Sequence, residues 1–373
     1  MTQRRIFPAF LAATALALAS CASDTTAQSS GTDAPVTEGK MSVYASFYPL
    51  QYLSEQIGGD MVSVESLTPP GAEPHDLELS PAKVAQLEQA DAVVFLSGFQ
   101  SAVDKAVAHN GPEHIIDVAP AVQLIAGEHD HDHAHDHSHD DHDHGQSGHD
   151  GHNHDGHNHD HGQSGHDDHD HAHESRDHSD QAASGAHDDH DHADHDHGHD
   201  HGDQDPHFWL DPQRMAQAAT AIGQAFAKAD PENAQTYTTN AATVAKSMNE
   251  LATELVEGTK SCEHTTFVTA HDAFGYLADR TGLTQVGISG LDPDSSPSPA
   301  RLAEVAKVVK DQGLTTIFTE TLIDPKVSET LAADLGITTA VLDPLESQAD
   351  DSKDYMDVMR ENIAALRKAL TCK

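Results

Sequence analysis

From His129 to His201 the chain holds no apolar side chain larger than alanine. Histidine alternates there with Asp, Gly, Asn and Ser, as in His129-Asp130-His131-Asp132-His133 and His149-Asp150-Gly151-His152-Asn153-His154. Related blocks recur, such as Gly145-Gln146-Ser147-Gly148-His149 and Gly162-Gln163-Ser164-Gly165-His166. Such a segment cannot bury enough surface to offset the entropy of ordering it. The stretch 129–205 is therefore read as a disordered insert, and any fold must be built from the sequence on either side.

Chemically the tract is a dense array of imidazole and carboxylate ligands. Neutral imidazole suits zinc, copper and nickel, and carboxylates add charge attraction. Without rigid spacing the individual sites should be weak, exchangeable and poorly selective. Collection or buffering of metal is the expected role, against a solvated low-complexity insert with no task. The tract does not name its metal, since the usual affinity order favours copper over zinc.

The formal net charge is −42, and about half of it lies in the tract. That balance argues against nucleic acid as a partner. The flanking sequence is moderately acidic and has ordinary apolar content. Without the insert and the N-terminal segments, roughly 260 residues remain, enough for two domains of ordinary size.

The N-terminus has three zones: Arg4 and Arg5, an apolar run from Ile6 to Ala19 broken by Pro8, and small residues ending at Cys21. Charge, length and order are those of a secretory signal, placed at 1–20. The run is shorter than the roughly 20 residues a membrane-spanning helix needs. Leu18-Ala19-Ser20-Cys21 resembles the bacterial lipobox, which implies lipidation of Cys21, attachment to the membrane and a flexible polar spacer over 21–40. An ordinary signal peptide with an unrelated cysteine is the alternative. Only Cys262 and Cys372 remain. An oxidising compartment favours a disulfide between them over two free thiols.

The remaining sequence alternates strand and helix signals. Strands are expected at 40–47, 62–67, 92–97 and 114–118, with helices over 49–57 and from Ser80-Pro81 to 90. Ala92 to Ser97 is continuously apolar, as in a buried parallel strand. The pattern returns with strands at 266–270, 285–288, 316–319 and 339–342. Helices are expected over 273–280, from Ser298-Pro299 to 312, over 325–335 and over 354–370. Strands alternating with helices imply parallel sheets with helical crossovers. Between the halves, Asp230-Pro231 should cap and start a long helix that Gly258 ends. About 27 residues at ~1.5 Å each would span about 40 Å, long enough to carry the chain from one domain to another. The boundaries are drawn at 41–229 for an N-terminal lobe with its insert, 230–258 for the helix, and 259–373 for a C-terminal lobe.

Three histidines outside the tract stand in patterned surroundings. His75 lies in Gly71-Ala72-Glu73-Pro74-His75-Asp76, after a strand and before a helix. His207 lies in Asp205-Pro206-His207-Phe208-Trp209-Leu210-Asp211-Pro212. His271 lies in Val268-Thr269-Ala270-His271-Asp272-Ala273-Phe274, at a strand's end. Ligands of open α/β sheets bind outside the carboxyl ends of the strands. Zinc takes nitrogen, sulfur or oxygen ligands in a tetrahedron, so three imidazoles leave one place. Leu342-Asp343-Pro344-Leu345-Glu346 follows another strand. Glu346 is preferred as fourth ligand, with Asp343, Glu73 and water as rivals. His109, His114 and His264 lack such context and are read as ordinary, and Trp209 as packing behind His207.

Glu-Pro-His-Asp, Pro-His-Phe-Trp-Leu-Asp-Pro and His-Asp-Ala-Phe-Gly-Tyr, in this order, resemble the zinc-binding solute-binding lipoproteins of bacterial ABC importers. The resemblance covers about residues 40–373, including a histidine-rich loop before the second histidine. It implies two α/β lobes, each a mainly parallel sheet flanked by helices, joined by one long helix with the metal between the lobes. It also implies Zn²⁺ as transported ligand, a membrane permease and its ATPase as partners, and no enzymatic activity; a monomer is expected. Manganese-binding members of that group usually have a carboxylate where this chain has His271, and three imidazoles favour zinc.

Two other classes remain. A surface metal store or adhesin needs no ordered histidine site. An extracellular zinc hydrolase needs an open metal position and a general base, and Glu73, Asp76 and Asp272 lie near ligands. The chain has neither a His-Glu-x-x-His helix nor a Gly-x-Ser-x-Gly motif.

Overall fold

The computed structural model describes residues 39–127 and 204–373. The signal segment, Cys21, nearly all of the spacer and the histidine tract lie outside the described residues. The chain divides into two compact units. The first holds residues up to Val122 with Pro212–Leu255 and Leu345–Glu361; the second holds Gln123–Asp211, Val256–Pro344 and Asn362–Lys373.

The first unit is built on four parallel strands: β1 (Met41–Ala45), β2 (Val62–Ser66), β3 (Ala92–Phe95) and β4 (His114–Asp117), in the order β2-β1-β3-β4. Its crossovers are α1 (Tyr48–Gly58), α2 (Pro81–Glu88) and α3 (Ser101–Asn110), followed by the short α4 (Ala119–Val122). All four residues of β3 are buried, as its unbroken apolar run requires of an inner strand. Tyr44, Leu67, Leu87, Val93, Phe95 and Val103 form the core between sheet and helices.

The second unit repeats the plan with β5 (Thr266–Thr269), β6 (Thr284–Gly287), β7 (Thr316–Thr319) and β8 (Thr338–Val341), all parallel in the order β6-β5-β7-β8. Val268, Ile288, Val305, Val309, Leu314 and Ile317 fill its core. The helices after α4 are α5 (Pro212–Ala229), α6 (Ala234–Thr259), α7 (Gly275–Thr281), α8 (Pro299–Gln312), α9 (Lys326–Leu335) and α10 (Tyr355–Ala369). Cys262 and Cys372 are disulfide-bonded. Among the described residues, no helix is long and apolar enough to cross a membrane.

The same start signal opens one crossover helix in each unit. Ser80 Oγ accepts from the Lys83 N–H (3.2 Å) and Ser298 Oγ from the Arg301 N–H (3.1 Å), with proline at the first helical position of each. These bonds satisfy backbone donors that have no intrahelical partner.

Three local expectations differ. The 18-residue α5 was not expected; its buried positions Met215, Ala218, Ala219, Ile222 and Phe226 follow helical spacing, but small alanines make the stripe faint. Asp230 makes no side-chain cap. The long helix is preceded by a 3-10 turn over Pro231–Asn233, and the Asp230 carboxylate accepts from Asn233 Nδ2 (2.7 Å) and the Tyr237 hydroxyl (2.8 Å) instead. Gly258 does not end α6, which runs one residue past it. A Cβ there would stand 3.2 Å from Ile363 Cγ2 and 3.3 Å from Arg367 Cδ. The glycine serves close approach of α10 rather than a left-handed cap.

Candidate metal centre

In the first unit, the loop after β2 carries His75. Several polar bonds fix it. Thr68 Oγ1 donates to the Ser46 carbonyl at 2.7 Å. Gln100 Nε2 reaches both Thr68 Oγ1 (2.9 Å) and the Pro74 carbonyl (3.2 Å). Ser46 directly follows β1 and Thr68 lies two residues past β2, so the loop is stapled to the carboxyl ends of the strands. Glu73 Oε1 accepts the His75 backbone N–H (3.0 Å). The His75 ring stands edge-on to Phe99, centroids 4.8 Å apart, and Phe99 in turn packs on Phe47.

The segment carrying Glu346 joins the same unit. Gly71 N–H donates to Ser347 Oγ (2.7 Å), tying the two loops together. Glu346 Oε1 lies 3.5 Å from His75 Nε2, and their side chains are 1% and 6% exposed. Leu345, just before Glu346, is buried and has φ +59°. A branched side chain in the left-handed region costs on the order of 1–2 kcal/mol. Such strain persists only where the surroundings dictate it, commonly at functional positions. Of the two carboxylates after β8, Glu346 stands against His75, whereas Asp343 accepts the Thr321 hydroxyl.

In the second unit, β5 and β7 are neighbours, so the residues leaving their carboxyl ends meet. His271 leaves β5 and Glu320 leaves β7. His271 Nδ1 is 2.8 and 2.7 Å from the two Glu320 oxygens, and its backbone N–H donates to Oε1 at 3.1 Å. The His271 carbonyl accepts from Thr269 Oγ1 (2.7 Å) and Gln285 Nε2 (2.9 Å). His207 is held in the same manner: Asp205 Oδ1 takes its backbone N–H (2.9 Å) and faces its Nδ1 (2.8 Å). Trp209 lies against the His207 ring and donates Nε1–H to the Pro344 carbonyl (2.7 Å). The His207 and His271 rings are 5.4 Å apart, and both residues are fully buried.

A carboxylate on Nδ1 fixes that nitrogen as the protonated one and leaves Nε2 as the basic, coordinating atom. This is the arrangement by which metal-binding histidines are oriented. The chemistry suits a divalent ion that takes imidazole and carboxylate ligands, zinc among them. Asp205 and Glu320 were not read from sequence as orienting groups. Asp205 lies within the His207 motif and was visible there; Glu320 carried no local signal beyond its place at a strand's carboxyl end. Of the histidines read as ordinary, His109 is exposed in α3, its Nδ1 on the Lys105 carbonyl (2.8 Å).

Residues 43–369 match the family model of the zinc-uptake complex component A, periplasmic, or ZnuA. The chain belongs to that family. Among ZnuA-family relatives, the zinc-binding protein AdcA of Streptococcus pyogenes serotype M6 is 32% identical over 340 residues, which cover 89% of this chain and 56% of AdcA. The chain thus spans little more than half the length of the curated streptococcal AdcA relatives it matches. The high-affinity zinc uptake system protein ZnuA of Bacillus subtilis is 29% identical, covering 97% of each chain. The fold is shared with solved ZnuA-like structures. The crystal structure of the Zn(II)-bound ZnuA-like domain of Streptococcus pneumoniae AdcA superposes with TM-score 0.62 at 26% identity, over 89% of this chain and 99% of that one. The laminin-binding protein Lmb of Streptococcus agalactiae, described as a bifunctional protein with adhesin and metal-transporting activity, gives TM-score 0.65 at 25% identity, over 88% and 99%.

Proposed function

We propose that this ZnuA-family chain is an extracytoplasmic receptor that captures Zn²⁺ and delivers it to an ABC importer. His75, Glu346, His207 and His271 are assigned as the ligands of one zinc ion. The observation that carries the reading is the pair of buried histidines, each with Nδ1 on a carboxylate and the two rings 5.4 Å apart. The His75–Glu346 pair of the first unit is assigned as the other two ligands.

Three imidazoles and a carboxylate complete a tetrahedron and leave no position for a reacting water, which favours a receptor over a hydrolase. The mechanism then has no covalent step. Zn²⁺ exchanges its water for four prepositioned ligands, and protons on those ligands are released, so affinity falls as pH falls. The metal-loaded form is the one recognised by a permease working with a cytoplasmic ATPase. Residues 1–20 act as the export signal, Cys21 carries a lipid anchor, 21–40 is the spacer, and the histidine tract gathers or buffers metal beside the tight site. The working unit is a monomer.

The test is a calorimetric zinc titration of the chain from Ala22, with His271→Ala and His109→Ala for comparison. One tight site that survives His109→Ala and is lost in His271→Ala supports the reading. Tight binding retained in His271→Ala would refute this ligand set.

A further inference from the structure

Tyr276 is fully buried near the start of α7, and its hydroxyl lies between the two chain segments that flank the histidine tract. It accepts the Ile125 N–H at 2.9 Å and donates to the Asp205 carbonyl at 2.6 Å. The same two segments are joined by Asp205 N–H to the Ile125 carbonyl (2.9 Å) and by an antiparallel bridge between Ala126 and Gln204. The hydroxyl uses both its donor and acceptor capacity to lock this crossing.

Gly275 faces Asp205 as well. A Cβ at position 275 would stand 2.8 Å from Asp205 Oδ2, closer than a side chain tolerates. Gly275 thus leaves room for the Asp205 carboxylate, while Tyr276 fixes the Asp205 backbone. The other carboxylate oxygen, Oδ1, takes both the backbone N–H and ring Nδ1 of His207.

We infer that Tyr276 is a positioning residue for the His207 ligand, acting through Asp205. The Gly275-Tyr276 seat makes the base of the insert a fixed point from which the ligand geometry is set. The inference rests on the zinc reading above.

The test uses the chain from Ala22 and zinc titrated against a competing chelator, for Tyr276→Phe, Gly275→Ala, Asp205→Asn, His207→Ala and the Tyr276→Phe/Asp205→Asn double variant. Partners of metal-bound histidines typically contribute about 10- to 100-fold in affinity. Asp205→Asn should show a loss in that range and Tyr276→Phe about tenfold. Residues acting through one another are not additive, so the double variant should bind within about twofold of Asp205→Asn. Nitrogen-15 NMR of the metal-free protein reads His207 directly: one tautomer protonated at Nδ1 in the parent, a mixture in Tyr276→Phe. Gly275→Ala keeps the hydroxyl and displaces the carboxylate, so it should weaken zinc independently of any folding defect in Tyr276→Phe. Parent-like affinity and a parent-like tautomer in both seat variants would overturn the inference, as would fully multiplicative losses in the double variant. If His207→Ala itself keeps tight zinc, the ligand assignment fails instead. If His207→Ala loses zinc and the seat variants do not, only the role of Tyr276 falls.

Discussion

Glu320 grips His271 at two points, its carboxylate facing ring Nδ1 at 2.7 Å while accepting the backbone N–H at 3.1 Å. Both groups are buried, so the carboxylate fixes the ring's rotation and its tautomer at once. Glu320→Gln keeps the shape but loses the charge, and its amide can donate to Nδ1 and favour the wrong tautomer. Zinc affinity should fall about 10- to 100-fold, measured by chelator competition, with little change in melting temperature of the metal-free chain.

Trp209 is the only tryptophan in the chain and lies 5.1 Å, centroid to centroid, from the His207 ring. Coordination of that imidazole changes the charge beside the indole. Intrinsic emission should therefore respond to zinc and saturate with the tight site. Trp209→Phe removes the signal and leaves the buried Pro344 carbonyl without its indole donor, at a cost of about 1–3 kcal/mol. Thermal unfolding of the metal-free protein reads that cost.

The Asp230 carboxyl is held below its ordinary range, first by the Asn233 side-chain amide and also by the Tyr237 hydroxyl. A depressed carboxyl contributes stability above its unfolded value, about pH 4, and loses it as pH falls through the folded value. Tyr237 is pushed upward by burial first and then by Asp230. Its contribution is present below its ordinary value, about pH 10, and fades at higher pH. Asp230→Asn should destabilise by no more than about 1 kcal/mol at pH 7, since the carboxylate is partly solvated. The difference from the parent should vanish on acidification, as followed by melting temperature against pH.

The bond between Cys262 and Cys372 closes a loop spanning 110 positions. Constraining the unfolded chain over such a loop contributes about 2–4 kcal/mol. Cys262→Ser/Cys372→Ser should lower the melting temperature while leaving zinc affinity within about twofold, because neither cysteine touches the histidines' orienting groups.

The parts legible in sequence were those with local signals. Unbroken or alternating apolar runs gave the strands, Ser-Pro pairs gave two helix starts, and His75, His207 and His271 stood out because each follows a recognisable motif. What escaped was set by long-range packing. Glu320 meets His271 across 49 positions only because β5 and β7 are neighbours. Tyr276 reaches Asp205 across 71 positions, and nothing near either residue announces the bond. Gly258 reads locally as a helix stop, yet it lies inside α6 because α10 needs the space its side chain would fill. The alanine-rich face of α5 hid a helix whose burial comes from its neighbours rather than from bulky residues.

In the proposed site, three imidazoles and one carboxylate hold a single zinc. Zinc-edge X-ray absorption on the chain lacking residues 129–201, loaded with one equivalent, tests it most directly. Four nitrogen or oxygen neighbours at about 2.0–2.1 Å are expected, with outer-shell scattering from three imidazoles, falling to two in His75→Ala. A spectrum with fewer than three imidazoles in the parent, or one unchanged by His75→Ala, would contradict it.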